Sequence, residues 1–350
     1  MVKLSVLDLA NIGEGFTPSD ALSNALDLAQ HAEAAGYKRF WLAEHHNLAG
    51  IASAATAVCI CHVAGGTKNI RVGAGGIMLP NHSPMVIAEQ FGTLATLFPE
   101  RIDLGLGRAP GTDQRTWMAL RRGPEASESF PQDVLELQAL LGPPREDQVI
   151  HAIPGEDTNV PLWVLGSSLY GAQLAAMLGL PYAFASHFAP QALMQAIAVY
   201  RERFEPSAQL DKPYVMVGCN VIVADTEEEA KRLFTSPQQN VTRMVRGTRG
   251  LLPPPIDDIE EFWSPMEKAH ASSMLGCSFY GSAETIKGKL DTLIEETNAD
   301  ELMVAAAIWD HKARVRSFEL LAGAMNESTT FRFRRPEPVY NGAHENPAIL

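Results

Sequence analysis

The chain is predicted to fold as an α/β protein, a (β/α)8 TIM barrel, and three observations carry that reading. Short apolar runs alternate with amphipathic helical patterns, eight such runs can be counted, and polar residues able to do chemistry gather just after several of them. Alternation implies a parallel sheet, and eight units suit a closed barrel better than an open doubly wound sheet. With 350 residues and 46% hydrophobic content the sequence can bury one large core, so a single domain over 1–350 is expected.

In chain order the predicted strands are residues 4–9, 39–43, 70–75, 102–106, 162–165, 182–185, 214–223 and 301–305. Between the first two, residues 19–35 repeat Leu22, Leu26, Ala29 and Ala32 at helical spacing. Residues 52–63 are rich in Ala and aliphatics, and 83–97 opens on Ser83-Pro84, a helix-start signal. Two stretches break the alternation, 109–160 after the fourth strand and 235–279 after the seventh, and both read as insertions of the kind that form lids. The run Leu251-Leu252-Pro253-Pro254-Pro255 inside the second fits a plain surface turn equally well. Beyond Met325 the tail is polar and contains proline, so it is expected to wrap the surface or fray.

A net charge of -13, from 41 acidic residues against 28 Lys and Arg, argues against nucleic-acid or anionic-membrane partners, which require a basic face. A small-molecule substrate fits better. The N-terminus lacks a basic stretch followed by an apolar one, and no apolar run reaches the roughly eighteen residues of a membrane span, so a soluble cytoplasmic protein is expected. Cys59, Cys61, Cys219 and Cys277 make no disulfide framework and have no zinc or thioredoxin spacing; they read as buried or near-buried thiols.

Four clusters could carry chemistry. Phe40-Trp41-Leu42-Ala43-Glu44-His45-His46 delivers a carboxylate and two imidazoles to a strand's C-terminal end, where barrels place reacting groups, although a solvated loop would read the same way. At the third strand's end, Gly73, Gly75 and Gly76 flank Ala74, a density that suits close approach of a flat ligand or a tight turn; His82 nearby could merely precede a helix cap. Gly105-Leu106-Gly107-Arg108 lacks the third glycine of a dinucleotide fingerprint, while Arg108 suits either an anionic ligand or a structural ion pair. Gly166-Ser167-Ser168-Leu169-Tyr170 turns a strand directly into an Ala- and Leu-rich helix, so hydroxyls, free N–H groups and the positive helix end converge as at a phosphate site; an ordinary Ser N-cap is the competing reading.

Together, Trp41-Leu42-Ala43-Glu44-His45-His46, Val72-Gly73-Ala74, Leu79-Pro80, Gly105-Leu106-Gly107-Arg108, the segment from Gly166 to Gly179 and Tyr280-Gly281-Ser282-Ala283-Glu284-Thr285 resemble the bacterial luciferase-like flavin monooxygenases. The order and spacing match over nearly the whole chain. Asn81-His82-Ser83-Pro84, Gly105 to Gly111 and Ser186-His187-Phe188-Ala189-Pro190 resemble more narrowly its single-subunit, YhbW-like branch.

The resemblance implies FMN, reduced by a separate flavin reductase and reacting with dioxygen through a peroxyflavin to oxygenate an unknown small organic substrate. It implies the flavin ring over Ala74, Gly75 and Gly76, phosphate at Ser167 and Ser168 with Gly166 and Tyr170 beside them, and Arg108 facing the phosphate or flavin. A non-prolyl cis peptide is expected at Ala74-Gly75. His45 corresponds to the catalytic imidazole, Glu44 would fix that imidazole's tautomer or cap the turn, and His46 is the reserve candidate. A homodimer is also implied. Gly107 and Gly166 stand where the luciferase large subunit has a cysteine and a glutamate, so light emission is not expected. A deazaflavin-dependent hydride-transfer enzyme or a non-catalytic flavin binder would share the barrel. A metal hydrolase fits poorly, because adjacent His45-His46 lacks His-x-His spacing, and no metal is expected.

Overall fold

Among the described residues nine parallel strands are present: β1 Lys3–Asp8, β2 Arg39–Leu42, β3 Arg71–Met78, β4 Ile102–Gly107, β5 Leu162–Gly166, β6 Tyr182–Phe184, β7 Val215–Val223, β8 Ser278–Gly281 and β9 Glu301–Ala305. The computed structural model describes residues 2–109 and 111–326, so the predicted tail lies outside the described residues. Strands β1 to β7 pair in sequence, β9 pairs with both β7 and β1, and the ring closes with eight members. Strand β8 stands outside the ring and pairs only with the C-terminal half of β7, Asn220 to Val223. No strand is predicted from sequence there, and the expected second insertion, 235–279, runs into its first two residues. Four residues without alternation, serving no barrel wall, leave little periodic signal.

Local chemistry explains the surrounding helices. Thr17 caps the helix Pro18–Ala34 through a reciprocal box with Asp20, and Pro84 stands at the start of Pro84–Leu97. The helix predicted at 52–63 runs Thr56–Gly65. Both insertions are shorter than expected. Helix Phe130–Leu141 buries Phe130, Val134 and Leu137 and supplies the crossover between β4 and β5, so only its flanks are inserted. Helix Glu227–Val245 runs through Thr235 and Pro237, because loss of one backbone donor does not outweigh nineteen residues capped by Thr226 and begun by three glutamates.

Strand periodicity divides the core. One face of each strand packs against the helices, while Leu7, Trp41, Trp163, Met216 and Met303 point inward. Trp41 and Trp163 meet edge to face at 5.1 Å. Beneath them Arg39 bonds Asp103 and Glu301, each at 2.7 Å, and Asp103 also accepts from the Trp41 indole at 3.1 Å. These buried charges are paired, as their burial requires. The lower half of the barrel is therefore filled by these side chains.

Strand β3 extends three residues beyond its expected end, and its register with β4 shifts between Ala74 and Ile77. The cis peptide lies between Gly75 and Gly76, one bond later than expected. Sterics account for these glycines. A Cβ at Gly75 would come within 2.8 Å of Leu7, and one at Gly76 within 2.7 Å of the Gly105 carbonyl oxygen, whereas the Ala74 methyl packs in the outer core. Cys59, Cys219 and Cys277 are buried and Cys61 is partly so, all as free thiols. Among the described residues no helix is long and apolar enough to cross a membrane.

Candidate active site

The C-terminal end of the barrel opens into a cavity of about 860 Å³, within the range of small-molecule sites. Trp41, Met216 and Met303 form its floor, and both insertions contribute to its walls. Of the residues singled out from sequence, His45, His46, Gly75, Arg108, Gly166, Ser167, Ser168 and Tyr170 line it. Glu44, Ala74 and Gly76 do not.

Strand alternation explains the position of Glu44. Ala43 faces the barrel interior, and Glu44, one residue on, turns into the wall, where it is 1% exposed. Its carboxylate accepts from Met78 N–H at 3.0 Å and Asn81 Nδ2 at 3.0 Å, and pairs with His46 Nε2 at 2.8 Å and His82 Nε2 at 2.9 Å. Burial alone would raise its pKa, but the bonds from His46, His82 and Asn81 outweigh it and hold the carboxyl at about 2. The bond to Glu44 in turn raises the pKa of His46. Glu44 therefore orients His46 and His82, not His45, which corrects the sequence expectation. Glu44, His46 and His82 bring three metal-ligand atoms within 4.8 Å of one another, yet the carboxylate also receives the Met78 and Asn81 N–H donors, an environment built for an anion.

His45 takes its orientation from elsewhere. Its Nδ1 lies 3.2 Å from the carbonyl oxygen of Gly111 in the first insertion. A carbonyl only accepts, so Nδ1 carries the hydrogen and Nε2 offers a lone pair when the ring is neutral. Burial lowers the His45 pKa, the Gly111 carbonyl opposes that, and the charges of Arg249 and His46 add to the lowering. Gly111 has φ +62°, and a Cβ there would stand 3.1 Å from the Glu44 carbonyl, so a side chain would disturb this contact.

A second imidazole, assigned no role from sequence, lines the same cavity. The pKa of His187 is lowered to about 4 by burial and then by the neighbouring His45, and its Nδ1 has no hydrogen-bond partner among the described residues. Asn220 Nδ2 donates to its backbone carbonyl at 2.5 Å, and Ser186 Oγ donates to Gly218 O at 2.6 Å. The motif around His187 was visible in the sequence. Its side-chain environment, which depends on β7, was not.

Across the cavity, β5 ends at Gly166 and the helix Leu169–Met177 begins after Ser168. Ser168 holds the N-cap position in extended backbone conformation, but its side chain makes no capping hydrogen bond. The ordinary-cap reading therefore does not account for it. Neither Ser167 nor Ser168 has a hydroxyl partner among the described residues, and the helix's first N–H groups face the same turn. The Arg108 guanidinium stacks 4.1 Å above the Tyr170 ring and makes no ion pair among the described residues. The structural-ion-pair alternative for Arg108 thus finds no support. An exposed cation, two hydroxyls and a helix N-terminus at one end of an apolar-floored cavity suit a flat aromatic cofactor carrying a phosphate tail.

Comparison with known proteins agrees with this geometry. The family model described as luciferase-like monooxygenase matches residues 2–301. An Escherichia coli (strain K12) protein named luciferase-like monooxygenase is 53% identical over 327 residues, covering 93% of this chain and 98% of that protein. The apo crystal structure of MsnO8 superposes with a TM-score of 0.86 at 35% identity, over 93% of this chain and 98% of that one. The FMN complex of the oxygenating constituent of 3,6-diketocamphane monooxygenase from Pseudomonas putida shares the fold, with a TM-score of 0.67 at 18% identity over 92% of this chain and 96% of that one. Barrel, cavity and sequence thus converge, and the chain belongs to the luciferase-like, flavin-dependent monooxygenase family.

Proposed function

We propose that this enzyme binds reduced FMN delivered by a separate flavin reductase and uses it with dioxygen to oxygenate a small organic substrate. The observation that carries the reading is the β5 turn, where Ser167 and Ser168 keep uncommitted hydroxyls at a helix N-terminus beside the unpaired Arg108. Bound reduced flavin supplies the two electrons that activate dioxygen.

The chain's own residues do the rest. Ser167, Ser168 and Arg108 bind the phosphate, Tyr170 braces the guanidinium, and Gly166 leaves the turn open. Gly75 presents bare backbone to the flavin ring, with Ala74 and Gly76 holding that strand segment in place behind it. The neutral Nε2 of His45 accepts and returns a proton at the oxygen-reacting centre, while Glu44 and His46 hold the loop that carries it. The apolar floor and the insertions exclude water. A single domain acting as a cytoplasmic homodimer completes the proposal, the dimer contact falling on the Thr56–Gly65 and Pro84–Leu97 helices.

The Arg108→Ala variant tests the phosphate assignment. Loss of one charge-assisted contact should weaken FMN by roughly ten- to a hundredfold in isothermal titration. Unchanged affinity would remove Arg108 from the site.

A further inference from the structure

We propose that Arg249 receives the carboxylate of the organic substrate, so that the molecule oxygenated here is an amphipathic acid with an apolar body and one anionic end. The inference rests on the reading of this cavity as an FMN site and names what shares it with the cofactor.

Among the described residues three arginines line the cavity, and two are accounted for. Arg314 is bound to Asp8 at 2.7 Å and to the Ala306 carbonyl at 3.1 Å, while Arg108 stacks on Tyr170. Arg249 has no ion pair, hydrogen bond or ring contact among the described residues. In a chain of net charge -13, a cation left unpaired on a cavity wall is a matched place for an anion. Among the described residues that line the cavity the acidic side chain is Asp113, which already accepts from Thr116 and Asn47.

The backbone beneath Arg249 is anchored. Leu252 N–H donates to Ile12 O at 2.9 Å, Glu14 N–H donates to Leu252 O at 2.8 Å, and Ile12 N–H donates to Gly50 O at 2.9 Å. Gly250 packs so closely that a Cβ on Gly50 would reach within 2.3 Å of its carbonyl oxygen. The second insertion is thus stitched to the loop after β1. In a ring of eight strands, β1 stands opposite β5, so Arg249 is based on the far side of the mouth from the phosphate turn. The two cationic ends, on opposite sides of the mouth, suit two ligands. Leu48, Ile51, Leu252, Val241 and Met244 line the cavity around this base and suit an apolar body. Arg249 and His45 line the same cavity, and the charge of Arg249 is felt at that imidazole.

The test uses FMN-loaded protein titrated calorimetrically with decanoate and with decan-1-ol, as wild type, Arg249→Gln and Arg249→Lys. Wild type should bind decanoate more tightly than the alcohol. Arg249→Gln should weaken decanoate by roughly ten- to a hundredfold, leave the alcohol and FMN unchanged, and be partly rescued by Arg249→Lys. Decanoate bound no better than decan-1-ol by wild type, or both weakened equally by Arg249→Gln, would overturn the proposal. Weakened FMN with unchanged decanoate would assign Arg249 to the flavin phosphate and overturn it as well, with the cofactor reading intact. If wild type binds no FMN, the cofactor reading fails, and the same titrations on flavin-free protein still decide the role of Arg249.

Discussion

His45→Ala is expected to bind FMN with near wild-type affinity and to slow the oxidative half-reaction by roughly a hundred- to ten-thousandfold, the usual worth of a positioned imidazole. The Gly111 carbonyl fixes the Nδ1 hydrogen, so the free Nε2 is an acceptor aimed into the cavity. Burial keeps the ring neutral to a lower pH than an ordinary histidine, which preserves that acceptor through neutrality. Activity should therefore fall on the acid side, as pH drops through the lowered pKa, and His45→Gln should abolish that limb of the profile. Stopped-flow absorbance after mixing reduced complex with oxygen is the measurement. Kinetics equal to wild type would transfer the role to His187, the other neutral imidazole on the wall.

The second large effect is on stability. Glu44→Ala should cost about 3 to 5 kcal/mol, because removing one member of a buried charged cluster strands its partners, here the Met78 N–H, the Asn81 amide and two imidazoles. The pH dependence has a definite sign. The folded pKa of Glu44, about 2, lies below its ordinary 4.5, so its contribution is complete above pH 4.5 and is lost as pH falls towards 2. That difference corresponds to on the order of 3 kcal/mol. His46 acts in the opposite sense, its raised pKa giving a contribution that is complete below 6.5 and lost as pH rises through the folded value. Both halves of the pair are present between 4.5 and 6.5. Urea unfolding from pH 7 to pH 3 should show a steeper acid loss for wild type than for Glu44→Gln, and parallel curves would refute the account of this carboxylate.

What could be read from the sequence was what neighbouring residues encode. The ring strands announce themselves by apolar runs, and the Ser167-Ser168 turn by its position between a strand and a helix. The bounds of β9 agree with the predicted 301–305. What escaped depended on partners distant in the chain. His82 looked like a residue before a helix cap, yet it meets Glu44 across 38 positions, and Gly111 meets His45 across 66. Glycine density along β3 suggested ligand contact, but Gly73 and Gly76 are explained by backbone of β4, and of the three Gly75 alone lines the cavity. Arg249 carried no motif. Its significance comes from the hydrogen bonds that tie residue 252 to residues 12 and 14.

The central claim, oxygen chemistry on reduced FMN held in this cavity, is tested most directly by mixing the anaerobic complex of protein and reduced FMN with oxygenated buffer and following flavin absorbance. The account predicts that dioxygen reoxidises the flavin while it stays bound, at a rate distinct from that of free reduced FMN. Bound reduced flavin that is inert to oxygen but gives up hydride to an organic acceptor would contradict it and place the chain with the hydride-transfer barrels.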